Sequence, residues 1–99
     1  MTINKTQENG KINLAIVGKL NTGTSPQFQE TLITAFDGAN EVVLDFSELA
    51  YLSSAGLRVL VLGEQKAEAT GKTMTITNVS PDVMEVFDIT GLTDVLKIR

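Results

Sequence analysis

The chain has 99 residues, 42% of them hydrophobic, with a mean hydropathy of +0.11, which suits one globular domain over residues 1–99 with a core that needs no covalent staples. It has no cysteine and no histidine, so disulfides, the usual Cys/His zinc sites, thiol nucleophiles and Ser-His catalytic pairs are excluded. A net charge of −4 and a pI near 4.6 argue against nucleic acid or an anionic membrane as a direct partner, because phosphates call for clustered Lys and Arg; a protein partner is the better expectation.

Polar residues run throughout the first eleven positions, which lack the apolar core and small-residue cleavage pattern of a signal peptide. The longest apolar run, Leu57 to Leu62, is interrupted by Arg58 and falls far short of a membrane span. A soluble, cytoplasmic protein is expected. Asn9-Gly10 lies between two stretches of β character, Ile3 to Gln7 and Lys11 to Lys19, and readily supplies the positive φ angles of a tight hairpin. Ile12, Leu14 and Ile16 then share one sheet face. The likeness of residues 10–13 (GKIN) to 18–21 (GKLN) has no third copy and is read as coincidence.

In NTGTSPQFQETLITAFDGAN a loop enters a helix, with Ser25 as cap, Pro26 in the first turn, Phe28, Leu32, Ala35 and Phe36 at helical spacing, and Gly38 at the end. Glu41 to Phe46 reads as a short buried strand. A second helix is expected from Gly56 to Thr70, with Gly56, Leu60, Gly63 and Ala67 on one face close to the sheet, Arg58, Gln65, Glu68 and Ala69 opposite, and Leu62 near solvent. Gly71 ends it, Thr73 to Thr77 is a further strand, and Ser80-Pro81-Asp82 opens a third helix with Val83, Val86 and Phe87 inward and Gly91 at its close. Leu92 to Ile98 supplies a last short strand or an extended tail packing Leu92, Val95, Leu96 and Ile98. The sum is a small α/β domain, a mixed β-sheet starting with an antiparallel hairpin and extended by βαβ crossovers, with helices packed against it.

Most candidate chemistries fail on context. Gly71-Lys72-Thr73 echoes the end of a phosphate-binding loop, but Lys66 stands where the earlier glycine is needed, and the tripeptide lies between helix and strand. Ser54-Ala55-Gly56 resembles half a nucleophile elbow, yet Leu52 replaces its first glycine and there is no histidine to take the proton. Asp45 and Glu48 could form an acid pair or a Mg²⁺ site at a strand end, but Asp45 starting a turn helped by Ser47, with Glu48 in water, is the better reading. For Ser53 and Ser54 two roles remain. One of them suits the N-cap of the second helix, and a phosphate at such a position would be tolerated by the fold while adding about −1.5 to −2 charges.

The segment VVLDFSELAYLSSAGLRVLVL, positions 42 to 62, resembles the signature of the STAS domains, specifically the bacterial anti-sigma-factor antagonists. GKLNTGTSPQFQETL is similar to that family's loop and first helix, and VFDITGLTDVLKI to its closing segment, so the resemblance covers nearly the whole chain. The resemblance implies a non-enzymatic regulator with no cofactor or metal. Unphosphorylated, it would bind an anti-sigma factor that is also a serine kinase; phosphorylation would release it, and a PP2C-type phosphatase would reset it. The family's phosphoacceptor lies two residues before the glycine that starts the second helix, which is Ser54 here, with Ser53 its neighbour. The implied docking face comprises Asn21, Thr22, Thr24 and Ser25, then Ser53, Ala55 and Gly56, and the outer edge of the helix at Arg58 and Leu62. Family members commonly carry an acid where Ser53 stands, Ser or Thr at Ala55, and Asp at Asn21. The alternative is a stand-alone STAS adaptor or ligand sensor without a phosphorylation cycle.

Overall fold

The computed structural model describes residues 1–99. Strand β1 (Thr2–Glu8) turns back into β2 (Lys11–Leu20) as an antiparallel hairpin with Glu8 opposite Lys11. At the turn Asn9 and Gly10 have φ of 48° and 78°, the paired left-handed angles that let a two-residue connection follow the strand twist. Helix α1 (Ser25–Gly38) then returns the chain to β3 (Glu41–Asp45), which runs parallel to the first half of β2. A short strand, β4 (Leu49–Leu52), runs parallel to the last three residues of β2, with Leu20 opposite Leu52.

Helix α2 (Ser54–Ala69) leads to β5 (Thr73–Thr77), parallel to β3, and α3 (Pro81–Ile89) followed by a 3-10 turn (Leu92–Asp94) leads to β6 (Lys97–Ile98) on the outer edge of β5. The sheet order is β1-β2-β3-β5-β6, with β4 set beside the end of β2. The expected mixed sheet with an opening hairpin is therefore the fold observed.

One face of the sheet, carrying Ile12, Leu14, Ile16, Val42, Leu44, Met74 and Ile76, shares a single apolar core with Phe28, Leu32, Ala35 and Phe36 of α1, Val59, Leu60 and Ala67 of α2, and Val83 and Phe87 of α3. Alternation along β2 sorts its side chains between that core and the opposite face, as a period-two strand must. Helix α2 lies very close to the sheet. A Cβ added at Gly56 would stand 2.7 Å from Leu52 Cδ1 and 2.8 Å from Leu20 Cγ, and one at Gly63 would stand 2.8 Å from Met74 Sδ of β5 and 2.6 Å from Leu32 Cδ2 of the neighbouring α1.

Four local expectations are corrected. Ser25 is not the cap of α1: Thr24 holds that position without a side-chain cap bond, and Ser25 is the first helical residue, buried, its Oγ donating to the carbonyl of Asn21 at 2.6 Å. α2 starts two residues earlier than Gly56, because Ser53 caps it. β4 occupies residues to which the sequence reading assigned no element. Val95 faces solvent, since the 3-10 turn rotates it away from the core, and Leu96 takes the inward place.

Candidate functional site

The site is built at the carboxyl ends of the parallel strands β2 and β4, where an α/β sheet leaves its loops free to carry function. The two strand ends are tied by the amide of Ser53, which donates to the carbonyl of Leu20 at 2.9 Å. This places the loop after β2 beside the start of α2.

The loop is held by its own side chains. Asn21 Oδ1 accepts from the amides of Gly23 (2.9 Å) and Thr24 (3.0 Å), the short-amide turn that Asn forms with the backbone ahead of it. Thr24 Oγ1 accepts from the Asn21 amide at 2.9 Å and donates to the carbonyl of Lys19 at 2.9 Å. Thr22 and Gly23 are the exposed crest, while Asn21 and Thr24 are half-buried. Asn21 is therefore a structural brace for the loop as well as part of its surface.

The serine pair divides into two roles. Ser53 is half-buried in extended backbone at the N-cap, its Oγ accepting from the Gly56 amide at 3.3 Å and its carbonyl accepting from the Leu57 amide at 3.0 Å. Ser54 is the first residue of the helix and is exposed. Capping belongs to Ser53, and the reachable hydroxyl belongs to Ser54. Removing the cap in Ser53→Ala should cost about 1 kcal/mol of unfolding free energy, while Ser54→Ala should change it by less than about 0.5 kcal/mol. Equilibrium urea unfolding of both variants checks this; equal losses would reject the division.

Between α1 and α2 runs an open groove of about 540 Å³, lined by Thr22, Ser25, Gln29 and Glu30 on one side and Ala55 and Arg58 on the other. Ser25 and Gly56, which the resemblance includes in the docking face, are both buried. Ala55 is half-buried at the lip and Arg58 is exposed. Leu62, one turn further along, is 36% exposed, so Arg58 and Leu62 form the outer edge of α2 as read from the helical wheel.

Asp45 and Glu48 do not converge. Asp45 Oδ1 accepts from Asn78 Nδ2 and from the Ser47 amide, each at 2.9 Å, and these bonds, that of Asn78 foremost, hold its carboxyl below the usual carboxylate range. Asp45 closes a turn and ties β3 to the residue after β5, as the structural reading holds.

One polar group escaped the sequence reading. Glu64 of α2 is 1% exposed, with Oε2 bonded to Lys97 Nζ of β6 at 2.7 Å and Oε1 without a hydrogen-bond partner. Its position next to Gly63 and one turn after Leu60 on the sheet-facing side was the available signal.

The family model described as "Mlab, STAS domain" matches residues 2–97. BtrV of Bordetella bronchiseptica, an anti-sigma factor antagonist by name, is 31% identical over 90 residues, covering 90% of this chain and 78% of that protein. The anti-sigma-B factor antagonist of Bacillus subtilis is 26% identical over 92 residues, covering 93% of this chain and 84% of its own. Among solved structures, the anti-sigma factor antagonist SpoIIAA in its unphosphorylated form shares the fold with a TM-score of 0.83 at 20% identity, over 99% of this chain and 88% of that one.

Proposed function

The chain belongs to the STAS domain family, and from that premise we propose that it is a partner-switching regulator whose switch is the hydroxyl of Ser54. With Ser54 free, the face formed by the Asn21–Ser25 loop, the start of α2 and its edge at Arg58 and Leu62 binds an anti-sigma factor that is itself a serine kinase. The kinase transfers the γ-phosphoryl group of ATP to Ser54 Oγ, which loses its proton as ADP leaves. The complex then separates. A PP2C-type phosphatase restores the hydroxyl by hydrolysis, releasing inorganic phosphate. The setting is cytoplasmic, and neither nucleic acid nor membrane is a direct partner of this acidic chain.

The observation that carries this reading is the exposed Ser54 at the first turn of α2, beside a self-bonded loop, with its neighbour Ser53 occupied as the cap. A hydroxyl enters a protein interface at little cost, whereas a phosphate dianion without cationic partners resists desolvation. The relatives' names as anti-sigma factor antagonists support the same role.

The test is incubation of the chain with ATP and a serine-kinase anti-sigma factor from its own cell, read by intact mass and by pull-down. The expected outcome is a gain of about 80 Da on wild type and Ser53→Ala, none on Ser54→Ala, and retained binding by Ser54→Ala. Labelling that persists in Ser54→Ala would place the phosphate on Ser53 and overturn the assignment. A second reading, a STAS adaptor or ligand sensor without phosphorylation, draws on Ser53 and Asn21, which stand where the family commonly has an acid, and on Ala55, which stands where it often has Ser or Thr. Absence of any labelling selects it, as would a gene neighbourhood of transport or lipid-handling proteins.

A further inference from the structure

We propose that Arg58 is the intramolecular clamp for a phosphate on Ser54, so that modification both adds charge at the lip of α2 and draws a cation away from the α1–α2 groove. This rests on the reading of Ser54 as the modified residue, and it concerns how the modification is translated into a changed surface.

Ser54 and Arg58 are four residues apart on one helix, both exposed. That spacing makes them neighbours on the helix surface, with Cβ atoms roughly 6 Å apart. Helical side chains lean towards the N-terminus, which carries the guanidinium of Arg58 back over the turn that holds Ser54. The order, anion first and cation four residues later, is the better of the two arrangements for such a pair.

Arg58 is also free to respond. The chain's two ion pairs are Lys97–Glu64 and Arg99–Glu41, neither near this helix turn, and Arg58 has no carboxylate within 4 Å. Glu30 of α1 lines the same groove without pairing to it. The surrounding elements offer no competing cation at the groove: the Asn21–Ser25 loop carries no ionisable side chain, β4 carries only the phenol of Tyr51, and Lys19, near the end of β2, does not line it. A planar guanidinium meets two phosphate oxygens through two parallel N–H bonds in a fixed fork, a geometry that the point charge of a lysine does not offer.

With Ser54 unmodified, Arg58 stands on the wall of the groove, where a partner's carboxylate would find it. With Ser54 phosphorylated, the guanidinium turns to the dianion four residues back. The partner then loses its cation contact and meets a phosphate, so one modification changes two contacts.

The experiment uses the full chain with phosphoserine encoded at position 54 during synthesis, compared with the same protein carrying Arg58→Gln. Phosphorus NMR against pH reads the second ionisation of the phosphate, which lies near pH 6 for an ordinary phosphoserine. The arginine protein is expected to ionise lower than Arg58→Gln by about half a pH unit, any effect of the helix start being common to both. The Nε–H resonance of Arg58 is expected to move on phosphorylation. Coincident titration curves, or an Arg58 resonance that stays in place, would overturn the clamp. Because the phosphate is built in, that result leaves Ser54 standing as a kinase target, whereas failure of the kinase to label Ser54 leaves the curves untouched.

Discussion

Gly56→Ala is expected to lower the unfolding free energy by about 2 kcal/mol, although alanine is the better helix former by about 1 kcal/mol. The added methyl would stand 2.7 Å from Leu52 Cδ1 and 2.8 Å from Leu20 Cγ. Leu20 is fully buried, and its Cγ is a branch point that moves only if the whole side chain moves. Leu20 and Leu52 are opposite each other at the ends of β2 and β4, so relief requires α2 to lift from the strands that position the serines. Gly63→Ala should cost less, because the atoms it meets are Leu32 Cδ2, a side-chain end, and Met74 Sδ at 2.8 Å, a flexible thioether. Urea unfolding with an unchanged slope measures both; a Gly56→Ala protein as stable as wild type, or one less affected than Gly63→Ala, contradicts the packing argument.

Lys97→Met is expected to cost about 2–3 kcal/mol, below the range for a wholly buried pair because the lysine side chain is 52% exposed and keeps part of its water. The loss falls on Glu64, which has a second oxygen already unpartnered and would be left as a lone carboxylate inside the protein. Pairing the change with Glu64→Leu should recover most of the stability, since an apolar side chain needs no partner there. The hydrogen bond that Lys97 Nζ donates to Glu64, reinforced by the charges of Glu64 and Glu68, holds the Lys97 ammonium above the ordinary lysine range. A folded-state value above the unfolded one means that the stabilisation is complete below the unfolded lysine value and fades as pH rises through the folded one. The gap between wild type and Lys97→Met should therefore close at strongly alkaline pH and stay constant near neutrality. A double variant no more stable than Lys97→Met alone would show that the loss comes from elsewhere.

The α/β order, the hairpin at Asn9-Gly10 and the inward faces of β2, α1 and α2 were legible because periodicity and punctuation agreed along those stretches. β4 was not. Four residues, Leu49-Ala50-Tyr51-Leu52, are too few to show alternation, and only their pairing with the end of β2 makes them a strand. The cap of α1 was misassigned because Ser25 precedes proline as a capping serine would, while the Asn21 side chain captures the loop amides and moves the helix start forward. In the serine pair the residue types alone left both positions open to capping. The bond from the Gly56 amide to Ser53 Oγ separates them. Glu64 was hidden by its charge: its ionic partner lies 33 residues away on β6, a distance over which a helical wheel carries no information.

The loop after β2 is fastened through Asn21 and Thr24 before anything approaches it. A visiting protein therefore finds these residues already in place and forfeits little freedom in settling them, so the speed of capture should follow collision and orientation, with no slow rearrangement preceding contact.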